Sequence, residues 1–147
     1  MTSCTFFGHG DAPEQIFPFL KASIEHLITQ KNVDKFYVGN HGRFDFMVRR
    51  ALIELKPLYP HINYAVVLAY MPKSKKGCEF YDYSDTIYPD GLENVPQKYA
   101  IDKRNRWMIS QCDYVVTYVT TVVGGAFKYK SISKSKGKTV LELSETI

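Results

Sequence analysis

The sequence lacks several patterns that would identify a functional class directly. Its three cysteines, Cys4, Cys78 and Cys112, are far apart and form no CxxC or Cys/His spacing, which argues against a zinc site and a disulfide framework. No apolar run approaches the roughly 18–20 residues that span a bilayer, so we expect no membrane partner. The first residues show no signal-peptide pattern, and we therefore expect a cytoplasmic protein.

Strong charge and the common nucleotide-loop motifs are also missing. The 147 residues carry 19 Lys and Arg against 15 Asp and Glu, a formal net charge of +4. Without a basic helix or a known reader motif, this mild excess predicts no nucleic-acid partner. Neither GxGxxG nor the full Walker pattern GxxxxGK[ST] occurs, and no GxSxG elbow marks a nucleophile. We expect no cofactor and no bound metal.

Aromatic residues are plentiful by contrast. Eleven Tyr, nine Phe and one Trp make up 14% of the chain, while 45% of residues are hydrophobic and 23% charged. The balance is typical of a globular domain with one core. More rings are present than such a core needs, so we expect some to line a cleft, where a ring can stack on a base.

Apolar runs alternate with segments of helical periodicity, which is typical of parallel α/β architecture. One run, YAVVLAY, is almost wholly apolar, as in a central parallel strand covered on both faces. The pattern predicts a single α/β domain over residues 1–147. The predicted strands are 3–7, 34–38, 64–70, 114–119 and 139–143, and the predicted helices are about 13–28, 44–58, 97–111 and 126–136.

Ligands of parallel α/β sheets sit beyond the carboxyl ends of the strands, so the loops there are the candidate site. After the first strand, Gly8 permits close backbone approach, and His9 either donates to a phosphate or sugar or caps the next helix. After the fourth strand, Gly124 and Gly125 precede the last helix. Small residues there would admit a phosphate close to the backbone amides.

The loop after the second strand is the strongest candidate. Gly39 and Gly42 flank Asn40 immediately before a helix, a pattern that favours phosphate binding by backbone amides and the helix dipole. Arg43 adds a guanidinium suited to phosphate oxygens. Asp45 is read either as a sugar contact or as an ordinary helix cap, and the residues leave both open.

A long segment, 71–96, breaks the periodic pattern and is rich in tyrosine and acids. It is predicted either to close over the cleft, with Tyr83 and Tyr88 on a base and Asp85 on a ribose hydroxyl, or to pack on itself as a loop. On the helix that follows, one of Arg104 and Arg106 is predicted to reach the cleft, and the other to form a surface salt bridge.

The chain contains, in order, the segments TFFGHG, FYVGNHGRFDFMV, YPHINYAVVLAYMP, YSDTIYPDGLENVP, RNRWMISQCDYVVTYV and GGA. This series resembles the SLOG superfamily of Rossmann-like proteins, and more narrowly its YpsA-like branch of Gram-positive bacteria and their mobile elements. The resemblance implies a Rossmann-like three-layer sandwich with a mostly parallel sheet of about five strands. It implies a nucleotide or an NAD/ADP-ribose-derived ligand, and a homo-oligomer as a possible state.

The lonely-guy phosphoribohydrolases of the same superfamily are more distantly similar. Arg104-Asn105-Arg106-Trp107-Met108 is similar to their Arg-Lys-x-x-Met helix, so Arg104 inherits a phosphate or ribose role. Their PGGxGTxxE loop is not matched, because Ala126 follows the glycine pair and no Glu is present. Gly10 also stands where relatives tend to carry Arg. The missing carboxylate leans the prediction away from an enzyme.

The sequence therefore predicts a protein that senses, carries or sequesters a small nucleotide-type ligand. A nucleotide N-glycosidic hydrolase and a protein-interaction scaffold are the alternatives. No catalytic residue is predicted. The ligand-binding prediction comprises Gly8, His9, Gly39, Asn40, Gly42, Arg43, Asp45, Tyr83, Asp85, Tyr88, Arg104, Gly124 and Gly125.

Overall fold

The computed structural model describes residues 2–69 and 86–145. The predicted site residues Tyr83 and Asp85 lie outside these ranges. The strands are β1 (Thr2–Gly8), β2 (Val33–Val38), β3 (Asn63–Val67), β4 (Thr86–Ile87), β5 (Tyr114–Tyr118) and β6 (Thr139–Glu142). The helices are α1 (Phe17–Gln30), α2 (Gly42–Leu55), α3 (Gln97–Gln111) and α4 (Gly125–Ser135).

The strands form one parallel sheet in the order β4-β3-β2-β1-β5-β6. From β1 the chain moves outward through β2 and β3 to β4, then returns to the other side of β1 with β5 and β6. The order thus reverses between β1 and β5. A crevice opens at such a reversal, because the loops on its two sides lead to helices on opposite faces of the sheet.

Helices cover both faces of the sheet, which gives the predicted three-layer Rossmann-like sandwich. On one face α1 and α2 bury stripes with helical spacing, such as Leu20, Ile24 and Leu27, against Phe6 and its neighbours in the sheet. On the other face, Met108 and Tyr129 pack on Phe7. Since side chains alternate along a strand, Phe6 and Phe7 serve opposite layers of the core.

Two features differ from the sequence-based expectation. The sheet has a sixth strand, Thr86–Ile87, inside the long segment for which no strand was predicted. The sequence does not reveal this strand, because two residues are too few to show an alternating pattern. The spacing of Ile16, Phe19, Leu20, Ile24, Leu27 and Ile28 predicts one buried stripe along the first helix, but Phe19 is 42% exposed. In the two described ranges, no helix is both long and apolar enough to cross a membrane.

Candidate functional site

The loops after β1, β2 and β5 meet at the carboxyl edge of the sheet, where the strand order reverses. Four of the predicted ligand residues, Gly8, Asp45, Arg104 and Gly125, line one cavity there of about 200 Å³. Elements remote in sequence contribute to it because parallel strands end at the same edge. Tyr88 follows β4, three strands from β1, and is not among the residues that line this cavity.

A hydrogen bond through His9 joins the loops on the two sides of the reversal. The backbone amide of Thr120, just past β5, donates to His9 Nε2 at 2.9 Å. In a neutral imidazole one nitrogen accepts and the other carries the proton, so this bond places the proton of His9 on Nδ1. The ring also meets Tyr118 edge-on, with centroids 5.9 Å apart. Nε2 of His9 is therefore engaged within the protein, and Nδ1 is the ring nitrogen that could contact a ligand.

The loops after β1 and β2 touch through their backbones. Gly42 has φ = 88°, and a Cβ on it would lie 2.8 Å from Cα of Gly10. Both the left-handed conformation and the contact require glycine at position 42. The amide of Arg43 donates to the carbonyl of Gly10 at 2.8 Å. This close approach leaves a surface of exposed backbone, with the exposed Arg43 beside it.

Asp45 and Gly10 occupy the amino terminus of α2. Asp45 Oδ2 accepts a hydrogen bond from the amide of His41 at 3.0 Å, and the amide of Arg43 is bonded to Gly10. The carboxylate therefore supplies the negative charge that a helix amino terminus favours. A phosphate at this position would compete with Asp45, so the geometry matches the helix-cap interpretation of this residue.

The carboxyl group of Asp45 packs with the guanidinium of Arg104 over the bare α-carbon of Gly39. A Cβ on Gly39 would lie 2.5 Å from Asp45 Oδ2 and 3.4 Å from Arg104 Cζ. Burial raises the pKa of Asp45 to about 6, although the His41 amide and the charge of Arg104 oppose that rise. The glycine is required here by the close approach of these two side chains.

Arg104 is only 2% exposed and holds three parts of the site together. Its Nη1 donates at 2.9 Å both to Asn40 Oδ1 and to the carbonyl of Val67 at the end of β3. Its Nε donates at 2.7 Å to Asn105 Oδ1, and its Nη2 lies 3.5 Å from His41 Nδ1. Burial, followed by the charge of Arg104, lowers the pKa of His41. Arg104 thus positions the loop after β2 from inside the protein.

At the amino terminus of α4, unlike that of α2, no carboxylate and no neighbouring loop of the described residues accepts a hydrogen bond from the backbone. In residues 2–69 and 86–145, no acceptor is hydrogen-bonded to the backbone amides of residues 125–127. Gly124, exposed with φ = 95°, turns the chain into the helix, and among the described residues no atom outside its chain neighbours lies within 4 Å of where its Cβ would be. Just before it, Val122 and Val123 are 77% and 69% exposed. Amides and apolar side chains are thus presented side by side to solvent.

Sequence reasoning missed several residues of this edge. Asn105 and Val67 contact Arg104, and Thr120 contacts His9. Asn105 follows Arg104 directly on a predicted helix, and this position next to a candidate site residue is the one feature of the sequence that points to it. A backbone group such as the Val67 carbonyl gives no sequence signal, because every residue has one.

Comparisons with known proteins identify solved structures that have a similar fold. No family model matches the chain, and no curated protein matches it. Among solved structures, DNA processing protein A from Streptococcus pneumoniae is similar with a TM-score of 0.70 and 16% identity, over 97% of this chain and 50% of that one. The DNA processing protein A of Helicobacter pylori, studied for its single-stranded DNA binding mode, is similar with a TM-score of 0.66 and 12% identity, over 96% of this chain and 64% of that one.

These likenesses show a Rossmann-like fold. This chain spans 50% and 64% of the length of these two proteins. At 16% and 12% identity the comparison bears on the fold and leaves the YpsA-like branch and the lonely-guy similarity unsupported.

Two predictions are corrected by this comparison. The prediction of a nucleotide or NAD/ADP-ribose-derived ligand is wrong, and so is the exclusion of a nucleic-acid partner, because a protein with this fold binds single-stranded DNA. The exclusion relied on the lack of a basic helix or reader motif. Backbone amides at strand ends can hold phosphates without either, and they leave no mark in the composition.

Proposed function

We propose that this chain binds single-stranded DNA across the carboxyl edge of its sheet, between the loops that follow β1 and β5. The observation that carries the proposal is the likeness, over 96% of the chain, to a DNA processing protein A with a single-stranded DNA binding mode. The reversal of strand order points to the same edge, because α/β sheets bind ligands at that crevice.

Phosphates would lie against the open amino terminus of α4. Its unbonded amides and the positive end of the helix dipole favour an anion there. The exposed Thr120 and Thr121 are adjacent, although the hydroxyl of Thr121 already donates to the carbonyl of Val123 at 3.0 Å. Arg43 lies across the crevice on the neighbouring loop. The amino terminus of α2, already capped by Asp45, would take no phosphate.

The exposed Val122 and Val123 would contact sugars or bases next to these phosphates. Phosphate contacts fix the position of a nucleic acid without reading its sequence. Apolar contact with a base face is similarly tolerant of sequence. We therefore expect binding with little sequence preference and a clear dependence on salt.

Arg104 has a positioning role in this proposal. Its guanidinium holds Asn40 and the end of β3, which keeps the loop after β2 in place beside Gly10. The narrower placement in the YpsA-like branch rests on the residue series alone and stays a prediction.

The test is fluorescence anisotropy with a labelled oligothymidylate, measured at several salt concentrations and repeated with the same length of duplex. We expect Arg43→Ala to weaken single-strand binding by about 1–3 kcal/mol, because it removes a charged hydrogen bond. The slope of log affinity against log salt should fall by about 0.7, the value for one phosphate contact on a single strand.

Lys31→Ala is the matched control, since Lys31 is an exposed cation at the opposite, amino-terminal edge of the sheet. Its affinity and salt slope should equal those of the wild type. No binding at low salt, or equal losses in the two variants, would rule out the carboxyl edge as the DNA site.

A further inference from the structure

A second surface with the chemistry of a nucleic-acid contact lies between α3 and α4. Here the carboxyl-terminal halves of the two helices enclose an open groove of about 430 Å³, at the opposite end of α4 from the candidate site. Its lining residues are Arg106, Ile109, Ser110, Ile132, Lys136 and Lys138.

The groove carries an excess of positive charge. Arg106 and Lys128 both pair with Asp102, at 3.0 Å each, so one carboxylate serves two cations. The ion pairs of the described residues do not include Lys136 or Lys138.

Asp102 remains an anion in this arrangement. Burial raises its pKa, but hydrogen bonds from Tyr129, Lys128 and Arg106 outweigh burial and hold the pKa below its ordinary value. Its charge is therefore already engaged by protein groups and adds little repulsion toward an approaching phosphate.

The floor of the groove is apolar. Ile109 is 2% exposed, and Ile132 packs against the same cluster as Val140. Ser110 adds a hydroxyl oxygen whose proton is donated to the carbonyl of Trp107 at 2.6 Å. An apolar floor flanked by cations complements a nucleic-acid strand, with sugars and bases over the partly exposed Ile132 and phosphates at the lysines.

The groove and the candidate site lie at the two ends of one helix. The 11 residues of α4 begin at the carboxyl edge of the sheet, with the open amide terminus, and end at Ser135 beside Lys136. At 1.5 Å per residue the helix is roughly 16 Å long. A strand that leaves the candidate site along α4 would therefore reach the groove only if it has enough nucleotides to span this distance.

We propose that the α3–α4 groove is a second contact for the same DNA strand, engaged by oligonucleotides that extend past the carboxyl edge. The inference rests on the proposed function and adds a direction to it: the strand follows α4 toward Lys136 and Lys138. Binding then depends on length as well as on charge.

The experiment measures affinity for oligothymidylates of roughly 4 to 16 nucleotides, the range of site sizes known for small single-strand-binding modules. For the wild type we expect a step in affinity between the short and long members of the series. The double variant Lys136→Glu/Lys138→Glu should bind the short members as the wild type does and lose about 10-fold or more on the long ones. Its salt slope on long DNA should fall by about 1.4, for two lost phosphate contacts.

Lys31→Glu/Lys134→Glu is the control, because it makes the same change in net charge and Lys134 is an exposed residue of α4 outside the groove. The neutral pair Lys136→Gln/Lys138→Gln should show a smaller loss with the same length dependence. Equal losses on short and long DNA, or a control that behaves like the groove variant, would overturn the inference. Failure of the wild type to bind any length would instead overturn the proposed function.

Discussion

At the scale of single residues, Asp45 shows how one side chain can serve the fold at a cost in stability. Its carboxylate caps α2 through the amide of His41 and lies beside Arg104. Burial nevertheless raises its pKa to about 6 from an ordinary value of 3.8. The ionised form is thus less stable in the folded protein than in the unfolded chain.

Asp45→Asn should therefore stabilise the protein at high pH and not at low pH. A carboxyl group with a raised pKa contributes its full stability below pH 3.8 and loses it as the pH rises through about 6. The amide keeps an acceptor for His41. The free energy of unfolding of the variant minus that of the wild type should increase by roughly 2–3 kcal/mol from pH 4 to pH 7.5, as measured by urea unfolding. A difference that is constant with pH would contradict this.

At the scale of elements, the two helix amino termini at the candidate site differ in whether their backbone amides are already hydrogen-bonded within the protein. The terminus of α2 is capped by Asp45 and bonded to Gly10, whereas that of α4 is open. Both follow a glycine-rich loop in the sequence, so the loops alone look equivalent. The distinction arises because Gly10 approaches α2 from another strand.

Gly125→Asp tests the open terminus of α4. A Cβ at Gly125 would lie 4.0 Å from Tyr129, so the side chain fits. An acidic residue in the first turn favours the helix dipole, so stability should be unchanged or slightly raised. The same charge should repel phosphate and weaken DNA binding by at least about 10-fold, measured by anisotropy beside a thermal melt.

Gly125→Asn is the matched control, since it has the same shape without the charge. Its affinity should stay close to that of the wild type. If the two variants bind equally well, the amides of α4 do not contact the DNA.

At the scale of the whole molecule, Arg104 joins layers that the chain places far apart. It links α3 to the end of β3 and to the loop after β2. Nearly complete burial makes each of these bonds costly to lose, because the oxygens of Asn40 and Val67 would be left without this donor.

Arg104→Met should lower the free energy of unfolding by about 3–5 kcal/mol, the usual cost of breaking a buried charged network. Arg106→Met, two residues away on the same helix, is the control. Arg106 is exposed and pairs with Asp102, and its loss should cost less than about 1 kcal/mol. Similar losses in both variants, by urea unfolding, would argue against a central role for Arg104.

Several elements were predictable from the sequence because their signal is local. The apolar run around Ala65 marks a strand covered on both faces, and α3 spans Gln97–Gln111 as its spacing predicts. The carboxyl edge was predictable too, since parallel strands place their following loops together. By contrast, β4 has two residues and no period, and the partner of His9 is a backbone amide 111 residues away.

The sequence by itself determined the parallel α/β architecture and the loops that form the candidate site, because hydrophobic period and glycine placement act over a few residues. Only the tertiary structure decided what each residue does there. In that structure Arg104 is buried and holds the surrounding loops, and Asp45 caps the amino terminus of α2. The first amides of α4 have no hydrogen-bond acceptor among the described residues. The physical reason is that hydrogen-bond partners and burial depend on which distant strands end side by side, and a local pattern carries no information about that.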